Sequence, residues 1–359
     1  MSAHVLIMAA GTGGHIFPGL AVAKHLMSQG AKVTWLGTPH GMENKVVPQA
    51  GIALEQIDIQ GVRGKGLSGW LLLPYRLMRA AIMVWRALRN TRPSVCLSMG
   101  GYVAGPGGLI AKLMGLPLVI HEQNAIAGLT NRCLAPLANK IYTAFPGTLK
   151  NAICVGNPVR ADIESLPHPQ IRWSERTGPL RILVVGGSQG ARIFSERLPT
   201  ALERLGQSGL APALKITHQA GRVFEMTKRA YQKVTLPQSV EVNVVEFIDD
   251  MASAWADADV ALTRAGALTI SELSAAGVGA LLVPFALAVD DHQSANAQYL
   301  SEAGAAWQIS ESELTVERLS DWLAHLDRGE LLQKAERARA LAHNGAAEVV
   351  AAACQELGR

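Results

Sequence analysis

Twice in this chain an apolar run of strand length ends in a cluster of glycines and passes into a helix-like stretch, and few architectures accept that order. The first instance runs from Val5 to Ala10 through Gly11-Thr12-Gly13-Gly14-His15 into Phe17 to Met27. The second runs from Ile182 to Val185 through Gly186-Gly187-Ser188-Gln189-Gly190 into Ala191 to Leu205. Strand, tight loop and helix read as the opening of a parallel β-α-β unit, so two doubly wound sheets are expected. Glycine at such a turn permits positive φ and close approach of a ligand. The unpaired N–H groups and the helix dipole there favour an anion, and a diphosphate is the natural guest. Neither loop carries the usual fingerprints: Ile16 stands where G-x-G-x-x-G needs its last glycine, and no Gly-Lys-Ser/Thr closes either loop.

The alternation of strand and helix starts twice. Val5 to Ala9, Val33 to Leu36, Val95 to Met99 and Leu118 to His121 read as strands of a first half. Leu180 to Val185, Leu214 to His218, Val242 to Phe247, Val260 to Arg264 and Ala280 to Pro284 read as strands of a second. Between them, Val155-Gly156-Asn157-Pro158 and Pro167-His168-Pro169 exclude regular structure. The expectation is α/β: two Rossmann-like domains, 1–158 and 159–340, facing each other across a cleft. The alanine-rich helical run Leu331 to Gln355 would bring residues 341–359 back onto the first domain. At 359 residues and 49% apolar, the chain is long enough for two separate cores.

Composition also removes alternatives. Cys96, Cys133, Cys154 and Cys354 show no ligand-like spacing, which points to a reducing compartment without a disulfide framework or zinc site. No secretory leader is expected, because His4 to Ala10 reads as a core strand. The longest apolar run, Ala275 to Val289, has 15 residues interrupted by Gly277, Gly279 and Pro284, too short to cross a bilayer.

Net charge is +4, but its distribution is uneven. From Ile59 to His121 there are eight basic residues and no acidic one, which leaves 25 basic against 29 acidic elsewhere. Inside that stretch, Trp70-Leu71-Leu72-Leu73-Pro74 precedes a helical segment with Leu77, Ala81, Val84 and Leu88 on one face. Arg79, Arg86 and Arg89 share another face, and Arg76 lies near the start. Trp70 to Leu73 suit either a loop dipping into an anionic membrane surface or a staple buried at a helix entry. Nucleic acid is not expected, since the basic stretch lacks interleaved stacking aromatics beyond Trp70, Tyr75 and Trp85.

A third passage from strand through glycine to helix is Arg264-Ala265-Gly266-Ala267-Leu268-Thr269-Ile270-Ser271-Glu272. Thr269 and Glu272 fit a capping box, in which Glu272 bonds backbone; the alternative has Glu272 accepting hydrogen bonds from sugar hydroxyls. Asp249-Asp250 reads as a helix N-cap. Asp257-Ala258-Asp259 matches D-x-D but leads straight into a buried-looking strand, so no metal site is expected, and no cofactor. A divalent cation could still accompany the diphosphate. Otherwise the charge of a departing diphosphate falls to helix N-termini and to Arg or Lys.

Six segments in order resemble the MurG family of peptidoglycan N-acetylglucosaminyltransferases, glycosyltransferase family 28. They are Gly11 to Gly19, Met99 to Gly108, His121 to Gly128, Gly156 to Arg160, Gly186 to Ala191 and Arg264 to Glu272. The resemblance runs nearly end to end and implies a GT-B fold. It implies inverting transfer of GlcNAc from UDP-GlcNAc to the 4-hydroxyl of MurNAc on lipid I, an undecaprenyl-pyrophosphoryl MurNAc-peptide, giving lipid II and UDP. Such an acceptor implies a peripheral enzyme at the cytoplasmic face of the inner membrane, with cell-wall synthesis proteins as further partners.

By resemblance, Ser188 holds diphosphate, Arg160 contacts the nucleotide, and Ile248 and Leu268 border the uracil, within a binding segment Ala267 to Glu272 that includes Thr269, Ile270 and Ser271. Glu272 binds ribose hydroxyls. Gln293 and Asn124 contact GlcNAc with Asn296 behind them, and Thr12, Gly13 and Gly14 face donor and acceptor phosphates. His15 is the candidate general base, because imidazole titrates near neutrality; its alternative is to orient phosphate or loop. Glu122 is the second candidate base, its alternative being bonds to neighbouring backbone. The apolar run Phe285-Ala286-Leu287-Ala288-Val289 departs from the family pattern and leaves the contacts around Gln293 open. The rivals are a UDP-GlcNAc 2-epimerase on the same fold and a nucleotide-sugar sensor without turnover.

Overall fold

The computed structural model describes residues 3–59, 73–187, 190–286 and 291–359. The chain divides into two compact units, one comprising Met1–Val159 with Asn344–Arg359, the other Arg160–His343. The division falls one residue beyond Pro158.

Unit 1 holds a parallel sheet of seven strands: β1 (His4–Met8), β2 (Lys32–Gly37), β3 (Ala53–Gln56), β4 (Val95–Ser98), β5 (Leu118–Glu122), β6 (Lys140–Thr143) and β7 (Ile153–Cys154), in the order β3-β2-β1-β4-β5-β6-β7. β1 is apolar from Val5 to Met8 because both faces are covered there. Its Val5 and Ile7 enter one core with Trp35, Leu97 and Val350, and its Leu6 and Met8 enter the other with Leu36, Val84 and Ile120. All four side chains are fully buried, and each contributes roughly 1.5–3 kcal/mol by leaving water.

Unit 2 repeats the plan with six parallel strands: β8 (Leu180–Val185), β9 (Leu214–Gln219), β10 (Val240–Val245), β11 (Val260–Thr263), β12 (Gly279–Leu282) and β13 (Ala306–Gln308), ordered β10-β9-β8-β11-β12-β13. Ile182 and Val184 of β8 pack with Phe194, Leu202, Leu262 and Leu319. In both sheets the winding reverses beside the first strand, at β1/β4 and at β8/β11. The C-terminal edge beside such a reversal is where α/β sheets bind ligands.

The helical run expected over Leu331 to Gln355 is two helices. Arg328–Ala340 packs on β12 in unit 2, and Ala346–Leu357 packs on the helix Gly13–Ser28 and on β4 in unit 1. The break is set by Gly345, which caps the second helix at φ +78°, a left-handed conformation that a β-carbon would strain.

Candidate functional site

In unit 1 the segments after β1 and β4 meet at the sheet reversal. Trp35 Nε1 donates to the Ala9 carbonyl at 2.8 Å, and Met99 N donates to Met8 O at 3.0 Å, which holds both strand ends. Gly11 turns at φ +100°, Gly100 at +90° and Gly101 at +79°. A β-carbon on Gly101 would lie 2.8 Å from the Ala10 carbonyl oxygen, and one on Gly100 would lie 3.0 Å from His15 Cδ2. The two loops interlock only because both positions are glycine. The Tyr102 ring lies beside Gly11.

The helix Gly13–Ser28 starts at this loop with Thr12 as N-cap, yet Thr12 makes no side-chain capping bond. Its Oγ1 lies 3.2 Å from His15 Nδ1 instead. Among the described residues the N–H groups of Gly13 and Gly14 meet no acceptor, because the first-turn bonds run from His15 N and Ile16 N to Thr12 O. They are the orphan donors of a helix start, available to an anion.

Behind this loop stands a buried polar network. Gly100 N donates to Ser98 Oγ, which donates to Asn131 Oδ1 at 2.9 Å. Asn131 Nδ2 donates to Glu122 Oε2 at 3.0 Å and to His121 O at 3.1 Å. Glu122 also accepts from Asn124 N, from Asn124 Nδ2 and from Gly128 N. It is 2% exposed, and four donors converge on its two oxygens. Glu122 therefore organises the loop that carries Asn124. Next to it, His121 Nε2–H donates to Gly156 O at 2.9 Å, and its Nδ1 accepts from Gln123 Nε2. Burial lowers the His121 pKa to about 4, against smaller raising effects of Gly156 and Glu122.

In unit 2, Gly187 and Gly190 both turn at φ +73° after β8, and a β-carbon on Gly190 would fall on the Ala220 carbonyl oxygen. Thr263 Oγ1 donates to Val185 O at 2.9 Å and so ties β11 to β8 where the winding reverses. The helix Ala267–Ala276 begins after Gly266 as N-cap, so Thr269 and Glu272 lie inside it and no capping box forms. Leu268 and Glu272, four residues apart, share a helix face, and both are half-buried. Ala267 and Ile270 point into the core, while Ser271 Oγ donates to Ala267 O, so their side chains serve the helix.

Around Glu272 gather Arg160, Asp162 and Trp255. Burial raises the Glu272 pKa, opposed by the Arg160 charge and by the Trp255 indole N–H, which donates to Oε2 at 3.2 Å, while Asp162 adds to the rise. Arg160 caps the short helix Ala161–Glu164, which packs on Met251–Asp257 and on Ala267–Ala276. Ile248 is half-buried just ahead of Asp250, whose carboxylate caps Met251–Asp257 by accepting from Ser253 N at 2.9 Å. Gln293 Oε1 accepts from Phe285 N at 2.9 Å, and buried Asn296 donates to Ala265 O.

Arg264 is engaged within unit 2. Its guanidinium lies between the Phe194 and Phe285 rings, 5.4 and 5.2 Å from their centres, and donates to Val283 O, Pro284 O and Glu311 Oε2. The D-x-D pair is ionic scaffolding. Asp259 is fully buried, paired with Arg176 at 2.6 Å and Arg328 at 3.3 Å, and Asp257 pairs with Arg181.

Glycosyltransferase family 28 matches the chain at both ends, its N-terminal domain over residues 5–143 and its C-terminal domain over residues 181–353. The chain belongs to glycosyltransferase family 28. Curated relatives from Bordetella petrii (50% identical, covering 99% of this chain and 98% of the relative) and Burkholderia thailandensis (48%, covering 98% and 95%) are each named UDP-N-acetylglucosamine--N-acetylmuramyl-(pentapeptide) pyrophosphoryl-undecaprenol N-acetylglucosamine transferase. The solved MurG of Acinetobacter baumannii superposes with a TM-score of 0.85 at 42% identity, covering 99% of both chains. Within the family 28 plan, the two parallel sheets are the two domains of a GT-B fold.

Of the residues read from sequence, Thr12, Gly13, Gly14 and His15 form the start of one helix in unit 1, joined through Gly100 and Asn131 to Glu122 and Asn124. In unit 2, Leu268 and Glu272 lie on the helix Ala267–Ala276, Arg160 is the N-cap of Ala161–Glu164, Ile248 lies in the loop ahead of Met251–Asp257, and Gln293 is on the separate helix His292–Ser301. Ser188, Trp70, Leu71 and Leu72 lie outside the described residues. Leu73 and Arg76 fall in the first turn of the helix Leu73–Thr91. Arg79 pairs with Asp58 at 2.9 Å, both exposed.

That helix buries Ala80, Val84, Ala87 and Leu88, close to the expected face. It also exposes Met78, Ile82 and Trp85 at 58, 46 and 43%, a second apolar stripe that sequence reading passed over. Arg89 covers Trp85 with its guanidinium 4.8 Å from the ring centre. The neighbouring helix Ala104–Leu113 exposes Leu109 and Leu113. Asn131 and Trp255 were missed as well; neither belongs to a motif whose spacing announces it.

Proposed function

We propose that this chain transfers N-acetylglucosamine from UDP-GlcNAc to the 4-hydroxyl of the MurNAc unit of lipid I, with inversion, releasing UDP and lipid II. The observation that carries the reading is the match, at 48 and 50% identity over 98 and 99% of the chain, to curated transferases of that name. Unit 2 takes the donor: Glu272 accepts from the ribose hydroxyls, Arg160 adds a positive charge beside them, and Ile248 and Leu268 border the uracil. The glycine loop after β8 gives backbone N–H groups to the diphosphate.

Unit 1 takes the acceptor. His15 serves as base in the tautomer whose Nδ1–H donates to Thr12 Oγ1, so that Nε2 receives the proton of the attacking hydroxyl. The oxygen bonds to C1 of the sugar from the face opposite the diphosphate, and UDP leaves with the bonding pair. The N–H groups of Gly13 and Gly14 offset phosphate charge.

Lipid I remains in the bilayer, so the enzyme works peripherally at the cytoplasmic face of the inner membrane. Among the described residues no helix is long and apolar enough to cross a membrane. Met78, Ile82 and Trp85, with Arg79, Arg86 and Arg89 beside them, suit an anionic lipid surface, where each cation contributes about 1 kcal/mol. The test of the whole reading is UDP release from purified protein with UDP-GlcNAc, with and without a lipid I analogue. Acceptor-dependent release is expected; release without acceptor, or conversion of the donor alone, would overturn it.

A further inference from the structure

We propose that Trp255 is a positioning residue for the donor, holding the Glu272 carboxylate in the one orientation that presents its other oxygen to the ribose hydroxyls. This rests on Glu272 being the ribose ligand and extends that reading. Trp255 is fully buried on the helix Met251–Asp257, and its indole N–H donates to Glu272 Oε2 at 3.2 Å. Among the described residues nothing donates to Oε1. A half-buried glutamate has several rotatable bonds, and a single donor on one oxygen removes most of that freedom.

The indole is itself held in place. Arg172 donates to the carbonyls of Trp255 at 3.3 Å and Ala256 at 3.0 Å. The same guanidinium reaches Ala276 O and, at 3.0 Å, Gly277 O, at the end of the helix that carries Glu272. One cation thus fastens the C-terminal ends of two helices, and the Trp255–Glu272 bond joins them further along. Asp250 caps the start of the first helix, two residues after Ile248. Leu268 and Glu272 therefore share one of two braced helices, and Ile248 leads into the other.

Electrostatics point the same way. Burial and Asp162 favour the protonated carboxyl of Glu272, whereas Arg160 and the Trp255 N–H favour the carboxylate. Asp250, whose pKa is lowered mainly by its bonds from Ser253, also feels the Arg160 charge. Removing the indole N–H leaves Arg160 alone against burial, so ribose binding would fail at a higher pH than in the native enzyme.

The test is Trp255→Phe, which keeps an aromatic ring and deletes the donor, alone and combined with Glu272→Ala. Binding of UDP and of 2′-deoxy-UDP is measured by calorimetry, together with steady-state kinetics. Expected for Trp255→Phe are a KM for UDP-GlcNAc about tenfold higher, kcat within about twofold, and a smaller preference for UDP over its 2′-deoxy analogue. Because the preference is a ratio taken on one preparation, partial misfolding does not move it. In the Glu272→Ala background the second substitution should change neither quantity. An unchanged preference in Trp255→Phe, or an equal effect in both backgrounds, would overturn the proposal. If Glu272→Ala itself leaves UDP and 2′-deoxy-UDP binding as in the native enzyme, it is the ribose reading of Glu272 that fails.

Discussion

The two units share a strand order yet prepare their reversal points differently. In unit 1 the loops are backed by a chain of polar side chains, Ser98, Asn131 and Glu122, and carry an imidazole next to a hydroxyl. In unit 2 the strand ends are tied by Thr263 to backbone, and the one arginine on the loop, Arg264, is consumed by packing between two rings. What unit 2 offers is a carboxylate braced by an indole beside an arginine. The scaffold supplies helix starts to both; on the proposed reading, the side chains behind them separate proton transfer from nucleotide binding.

The largest expected effect breaks that division if it is wrong. His15→Ala should lower kcat by about 10²–10⁴-fold, the usual range for a general base, while donor affinity changes less than about threefold. Glu272→Ala should do the reverse, raising the KM for UDP-GlcNAc about tenfold or more with kcat nearly kept. Steady-state kinetics and UDP calorimetry on both variants decide it. If both substitutions move kcat and KM together, the units do not divide the work.

Next come the glycines, where the units are expected to behave alike. Gly101 and Gly190 combine positive φ with a backbone oxygen where a β-carbon would stand, whereas Gly30 at +78° and Gly209 at +71° have the same backbone and open space. Alanine at Gly30 or Gly209 should cost about 1 kcal/mol from strain alone. At Gly101 or Gly190, overpacking of about 1–3 kcal/mol is added, with Gly190 the worse because its contact is the closer. Urea midpoints of the four variants separate steric cost from conformational cost; equal midpoints would mean that the loops shift freely.

Each unit also buries one neutral histidine. His121 and His218 have their pKa lowered by burial to about 4, from 6.5. The unfolded chain binds the extra proton first, so each contribution is complete above pH 6.5 and is lost as pH falls towards 4. The shift corresponds to about 3 kcal/mol per site. His218→Phe should flatten the pH dependence of stability in that window by about one proton, read as the slope of unfolding free energy between pH 6.5 and 4.5. His121 sits beside the polar network and His218 beside Tyr231, so equal slopes would show burial to outweigh neighbours.

How far the sequence could be read follows the same physics. The glycine loops and central strands were visible because β1 and β8 are covered on both faces and run unbroken and apolar over Val5–Met8 and 182–185. β3, β6, β7 and β13 were not expected. They are short, and Ala53, Gln56, Ile153 and Gln308 are exposed, so no alternation marks them. Thr269 and Glu272 have capping-box spacing, but the helix starts at Ala267, a boundary the spacing alone cannot fix. The C-terminal alanines looked like one helix because alanine has the same propensity on both sides of Asn344-Gly345. Asn131 and Trp255 escaped notice for another reason: their roles lie in bonds to residues 33 and 17 positions away, which no local pattern encodes.

The smallest effect sharpens the comparison at two helix starts. Asp250 makes a true cap, its Oδ1 accepting from Ser253 N and its Oδ2 from Ser253 Oγ. Thr12 is the N-cap of the helix Gly13–Ser28 in unit 1 but has turned its hydroxyl to His15. Asp250→Ala should therefore lower stability by the ordinary worth of a cap. Thr12→Ala should cost less than about 0.5 kcal/mol, since no backbone donor loses a partner. Turnover should respond in the opposite order. Without the hydroxyl on Nδ1, the His15 ring and tautomer are less fixed, and kcat should fall severalfold with unfolding unchanged. A Thr12→Ala protein that unfolds earlier but turns over normally would return Thr12 to the role of an ordinary cap.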